Sequence, residues 1–284
     1  MLAGMTNSAP APSPEDQLTA FRNRIDALDE TITQLLLERC GVVRQVGQLK
    51  DTHWPRACHI RSGREGQMHE AIAARFAGTD IPPAIAIAIW RQLIGASTCL
   101  ESPLSAVFLA RQPQHGWLVR EYFGITASIR AESCLADMFD TLARNEANLM
   151  ILPEPGTRAG EGDWWLDPGL FTSHGLAIFA RLPVTTDPLP DGSRPALALA
   201  AITPEPSGND ISYLALATTN ETNAARLQAI APMQVISANA HHHLLVIEDF
   251  VGPDHALLAS LRQALGSEVL NLTILGAHPR PISL

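Results

Sequence analysis

The chain has 284 residues, 46% apolar and 17% charged, a composition that predicts a soluble globular protein with room for more than one domain. Its net charge of −9 argues against the basic surface that nucleic acid or an anionic membrane calls for. The charge is unevenly spread: residues 1–103 carry 10 basic and 11 acidic side chains, and residues 104–284 carry 10 and 18.

The first 15 residues are rich in Ala, Pro and Ser, with no basic start and no long apolar run. They read as a flexible tail and not as a secretory signal. No stretch is expected to reach the roughly 18–20 apolar residues that would span a bilayer. Cys40, Cys58, Cys99 and Cys134 show no CxxC or CxxxxC spacing, so reduced thiols in a cytoplasmic protein are expected, with no disulfide framework and no zinc.

From Leu18 to Lys50 the apolar residues recur three and four apart: Leu18, Phe21, Ile25, Leu28, Ile32, Leu35, Val42, Val46 and Leu49. That is the seam of one long helix lying against other helices. Arg39 falls on the seam, and a guanidinium facing partner helices needs an anionic or polar partner. Arg39 and Lys50 lie about three turns apart, roughly 16 Å, on nearly the same face, so the two bracket one anion within a chain. Arg22 lies roughly 42 Å from Lys50 along the same helix, so it reaches such a site only from a second subunit. Lys50 is the only lysine against 19 arginines. An ammonium is a compact point donor where arginine is a fork, so a retained lysine marks either a site that wants the point donor or chance.

Pro55 and Gly63 break the helix, a second runs from Ser62 or Arg64 to Phe76, and a third follows Pro82–Pro83 and ends before Pro103. Three helices of such unequal length cannot close a core around the first, which predicts an intertwined homodimer. Ser62-x-x-Glu65 fits a capping box, so Glu65 is either a helix-start ligand or part of a site. Arg64 reads as a solvated charge by itself, Ser97 as a hydroxyl bonding its own backbone, and Glu101 as a carboxylate at the unfavourable end of a helix dipole.

Taken together, FRNRIDALDETITQLLLERCGVVRQVGQLK, IRSGREGQ and IWRQLIGASTCLE resemble the all-helical chorismate mutase domain over residues 16–102. The motifs are R-x2-I-D-x-L-D, an arginine 17 positions after the first, V-G-x2-K, R-E, and a closing serine with a polar residue four positions on. The resemblance implies rearrangement of chorismate to prephenate for phenylalanine and tyrosine synthesis, without metal or cofactor. It places Arg39, Lys50, Arg64, Glu65, Ser97 and Glu101 in one subunit's site and Arg22 in the partner's. It makes Arg39, Lys50, Glu65 and Glu101 the catalytic set: arginines on the two carboxylates, Lys50 on the ether oxygen, Glu65 accepting from the ring hydroxyl, and Ser97 assisting a carboxylate. Many bacterial members carry glutamine at the position of Glu101, and a carboxylate there donates only when protonated. Arg61 stands where several members have aspartate; it either adds positive potential or faces solvent.

Beyond Ser105 the pattern turns to strands (SAVFLA, NLMILPEP, GLAIFARLPV) separated by amphipathic segments, of α/β type. The last part reads strand, helix, strand, strand, helix, strand, a ferredoxin-like βαββαβ unit. The expected domains are therefore 16–102, 103–208 and 209–284. The two C-terminal ones weakly resemble a prephenate dehydratase with its ACT module, but the dehydratase Thr-Arg-Phe and the glycine-rich start are missing. That implies a degenerate region that supports dimer contacts or senses an aromatic amino acid. A bifunctional mutase/dehydratase and an inactive mutase-fold sensor remain the alternatives. His241-His242-His243 alternates faces on a strand and offers too few ligands on one side for a metal. Trp164–Trp165 is either a stacking platform or loop core.

Overall fold

The structure, a computed structural model, describes residues 13–53, 60–156, 163–186, 189 and 193–283. Pro55, Cys58 and most of the N-terminal tail lie outside these residues.

Three helices come first: α1 (Pro14–His53), α2 (Ser62–Phe76) and α3 (Pro83–Glu101). The start of α1 is fixed locally. Ser13 Oγ accepts from the Asp16 N–H at 3.1 Å, the Asp16 carboxylate accepts from the Ser13 N–H at 3.3 Å, and Pro14 takes the first helical position. The predicted seam forms, yet none of the described residues covers it: its nine apolar side chains, from Leu18 to Leu49, are 38–64% exposed. Gly47, which faces Glu101, is the buried residue of this helix.

Helix α2 departs from the sequence reading at its start. Arg61 precedes it, Ser62 lies inside it, and no side chain caps it, so the capping box does not form. Helix α3 has 19 residues and, by length and composition alone, is long and apolar enough to cross a membrane, which corrects the expectation that no stretch is. Here it is the hub of the helical layer, touching α1, α2 and α4 (Gln114–Phe123).

The remainder is one nine-stranded sheet in the order β2-β1-β3-β5-β4-β9-β6-β8-β7. Its first part holds β1 (Ser105–Leu109), β2 (Ser128–Glu132), α5 (Leu135–Ala143), β3 (Leu149–Pro153), α6 (Pro168–Ser173), β4 (Ala177–Leu182) and β5 (Ala196–Ala200). Its last part is β6 (Asp210–Thr218), α7 (Ala224–Gln228), β7 (Gln234–Ser237), β8 (His242–Ile247), α8 (Ala256–Leu265) and β9 (Val269–Pro279), the βαββαβ order expected. Strands β1, β2 and β3 are parallel, and the four strands of the last part pair antiparallel. The parts join where β9 meets β4 at Gly276 opposite Ile178. Gly276 has φ +128°, and a methyl there would overlap the Ile178 backbone, so glycine is required at the joint.

Strands β2 and β5 were not anticipated. Ala196–Ala200 alternates alanine and leucine, good helix formers, but burial on both faces at the centre of the sheet overrides propensity. Trp164 and Trp165 are core: both are buried, the Trp164 indole donates to the Pro153 carbonyl at 2.9 Å, and its ring meets Phe171 edge-on.

Helix α2 docks on the sheet by close backbone approach. A methyl on Gly63 would fall 2.5 Å from the Pro206 carbonyl oxygen, and one on Gly66 would strike Pro279. Around them Arg61 pairs with Glu205 at 3.1 Å, Gln67 donates to the Ser207 carbonyl at 3.1 Å, and Asn209 donates to Glu70 at 3.0 Å. Arg61 is exposed and spends its charge on this contact, a role the sequence did not indicate.

Candidate active site

Four predicted residues meet between the C-terminal half of α1 and the last turns of α3. Arg39 donates to the Ser97 hydroxyl and, at 3.4 Å, to the Leu93 carbonyl. Ser97 in turn donates to that same carbonyl at 2.6 Å, the self-bonding expected of a helical serine. Lys50 donates to Glu101 Oε2, the two side chains being 23% and 13% exposed. Leu93, Ser97 and Glu101 share one face of α3 by their spacing of four, and Arg39 and Lys50 share one face of α1. The helix periods therefore set two cations opposite a hydroxyl and a carboxylate, half withdrawn from water. Such cations interact more strongly with an anion than exposed ones do.

The other three stand apart. Arg22 is exposed on α1, about 25 Å from Arg39 along the helix. Arg64 is exposed at the start of α2. Glu65 is buried and pairs with Arg91 at 2.7 Å. Arg91 lies six residues before Ser97, so Glu65 meets α3 about 9 Å along its axis and about a third of a turn round from the Arg39–Ser97 contact. The described chain thus pairs Arg39 with Ser97 and Lys50 with Glu101 directly, and sets Glu65 further along α3 on Arg91.

Reading by motif passed over Arg91 and His69. Arg91 is 3% exposed, and a lone cation inside the apolar run IAIAIWRQLIGA was the available signal, because such a charge must be paired. Burial, and then the Arg91 charge, hold the His69 pKa at about 3. In the triple-histidine run, His243 is buried against the Ser237 hydroxyl while His242 turns to Asn239.

Residues 21–102 match the family described as chorismate mutase type II, and this part of the chain is a chorismate mutase type II domain. Among curated relatives, the bifunctional chorismate mutase/prephenate dehydratase of Stutzerimonas stutzeri is 26% identical over 170 residues, 58% of this chain and 46% of that one. The protein of the same description from Aquifex aeolicus (strain VF5) is 26% identical over 175 residues, 60% and 48% of the two chains. The chain thus spans about half the length of the curated relatives it matches. Among solved structures, a protein described as "GqqA- a novel type of quorum quenching acylases" aligns at TM-score 0.44 and 17% identity, over 62% of this chain and 94% of its own. Prephenate dehydratase from Streptococcus mutans aligns at 0.42 and 12%, over 61% and 97%.

Proposed function

We propose that this protein is a homodimeric chorismate mutase, converting chorismate to prephenate in the synthesis of aromatic amino acids. The observation that carries the reading is the Arg39–Ser97 and Lys50–Glu101 pairing inside a chorismate mutase type II domain. The reaction is unimolecular. Its barrier falls when the substrate is held in a chair-like conformer and when charge growing on the ether oxygen meets fixed donors. Arg39 forks onto one carboxylate with Ser97 beside it. Lys50, released from Glu101 by the incoming dianion, donates to the ether oxygen. Arg64, exposed at the start of α2, is available to the second carboxylate.

The second subunit is a copy of this chain lying along α1. The uncovered seam is long, regular and apolar, and each fully buried Leu, Ile or Phe side chain on it contributes roughly 1.5–3 kcal/mol. A partner α1 running the opposite way brings its own Arg22 to the Arg39–Lys50 pair, completing the cation set. The C-terminal region supports the helices and is the place for an aromatic amino acid effector. Dehydratase activity is the alternative for that region, since the curated relatives are described as bifunctional.

The test is loss of chorismate absorbance with purified full-length chain, followed by phenylpyruvate detection. Mixing Arg22→Ala and Lys50→Ala chains is the sharper form. Random reassortment makes half the dimers mixed, each with one intact site, so about a quarter of wild-type activity returns from two inactive parents. No recovery from the mixture removes the shared site.

A further inference from the structure

Arg91 is the only basic residue of α3, and its guanidinium is met from two other helices. Nη1 donates to Glu65 Oε2 at 2.7 Å and to His69 Nε2 at 3.2 Å, both on α2. Nε donates to the Tyr122 carbonyl of α4 at 2.8 Å, and Nη2 donates to the same oxygen. The guanidinium carbon lies 3.7 Å from the centre of the Tyr122 ring. An arginine has no acceptor, so His69 presents the Nε2 lone pair and carries its proton on Nδ1. Beside this contact, Gly95 of α3 runs so close to the Phe123 backbone that a methyl there would overlap it. The guanidinium therefore has little freedom to swing. Glu65, held by one oxygen, keeps 11% of its side-chain surface open.

We infer that Arg91 is a positioning residue of the mutase reaction: it fixes Glu65 through Oε2, leaves Oε1 for the ring hydroxyl of the substrate, and ties that carboxylate to the C-terminal region through the main chain of Tyr122. The inference rests on the mutase reading and adds a residue outside the motif set. Ser97 and Glu65 then serve opposite ends of one ring, a carboxylate at the first and a hydroxyl at the second, so they belong apart along α3. The α/β region also enters catalysis without touching the substrate, since any shift of α4 moves the anchor of Arg91.

The groups facing Glu65 are His69 on its own helix, Arg91 on α3, and Tyr122 with neighbouring Glu121 on α4. Arg61 and Arg64 flank the helix start, Arg61 being engaged by Glu205. Removing the Arg91 cation takes away the positive charge that pairs with the Glu65 carboxylate. In the full-length dimer, Arg91→Met is expected to lower kcat/KM roughly 10- to 100-fold and to move the acid limb of its pH profile upward. Arg91→Lys keeps a cation, and is expected to hold the wild-type limb and to recover most of the rate. In a Glu65→Gln background, Arg91→Met changes the rate by no more than about twofold, because its route of action is already gone. Should Arg91→Met lose its fold by circular dichroism, Arg91→Gln, which keeps a donor for the Tyr122 carbonyl, reads the same limb. An unmoved limb, or an equal loss in both backgrounds, overturns the inference while leaving the mutase reading intact. A wild-type chain that leaves chorismate untouched sinks the mutase reading first.

Discussion

The helical layer and the sheet bury their apolar residues in opposite ways. In the sheet, Leu149–Leu152 and Ala196–Ala200 are fully buried, and both faces are covered by the chain's own helices and turns. On α1, ten large apolar side chains, including Leu37, are at least 38% exposed. The sheet is covered within one chain; the long helix leaves its apolar seam open. A regular apolar seam thus fixes a helix but leaves its covering to another surface, whereas a sheet with flanking helices closes on itself.

The contrast can be broken most severely at the seam. Ile25→Asp with Ile32→Asp should abolish the dimer by sedimentation and lower mutase turnover by more than about 100-fold, since each site loses its partner's Arg22. Near-ultraviolet dichroism from Trp164 and Trp165 should stay as in the wild type, because the sheet does not depend on the partner. A lost sheet signal would make the two regions one unit.

Next in size is Arg39→Met, for which kcat/KM should fall roughly 10²- to 10³-fold with the dimer intact, the cost of removing a desolvated donor from a developing charge. A loss under about threefold would take Arg39 out of the site.

Acid should weaken both regions. Burial pushes the pKa of His69 down to about 3, and those of His115 and His278 to about 4. Below about 6.5 the unfolded chain binds protons that these folded-state histidines refuse. Their contribution is therefore full above about pH 6.5 and is lost progressively as pH falls toward 4, by roughly 3 kcal/mol for each group. Urea midpoints at pH 7.5, 5.5 and 4.5 check the slope, and a flat series would mean that the three rings are solvated.

The smallest effect concerns Glu101. Glu101→Gln is expected to raise kcat/KM about threefold, because its amide donates to the ether oxygen where the carboxylate only accepts. In the structure Glu101 accepts from Lys50, so this tests whether the substrate replaces that contact. Equal rates for the two proteins would leave the ether oxygen to Lys50 alone.

Much of this was legible beforehand because helix periodicity is written locally. The seam of α1, the two prolines that open α3 and the four-residue spacing of Ser97 and Glu101 all follow from short-range pattern. So does the terminal βαββαβ order. What was not legible depends on partners distant in the chain. Glu65 reads equally as a cap or a substrate contact until Arg91 is found beside it, and Arg91 reads as an oddity until the Tyr122 carbonyl appears from beyond the helical domain. Strand β5 is a strand only because β3 and β4 flank it.

The solitary lysine has a practical corollary. Reagents that acylate primary amines find one side chain in the whole sequence, at Lys50, so modification there reports on whether a ligand covers the Lys50–Glu101 pair. Protection of that position by chorismate or a mimic, followed by peptide mass, measures occupancy without turnover, even in variants that no longer convert the substrate.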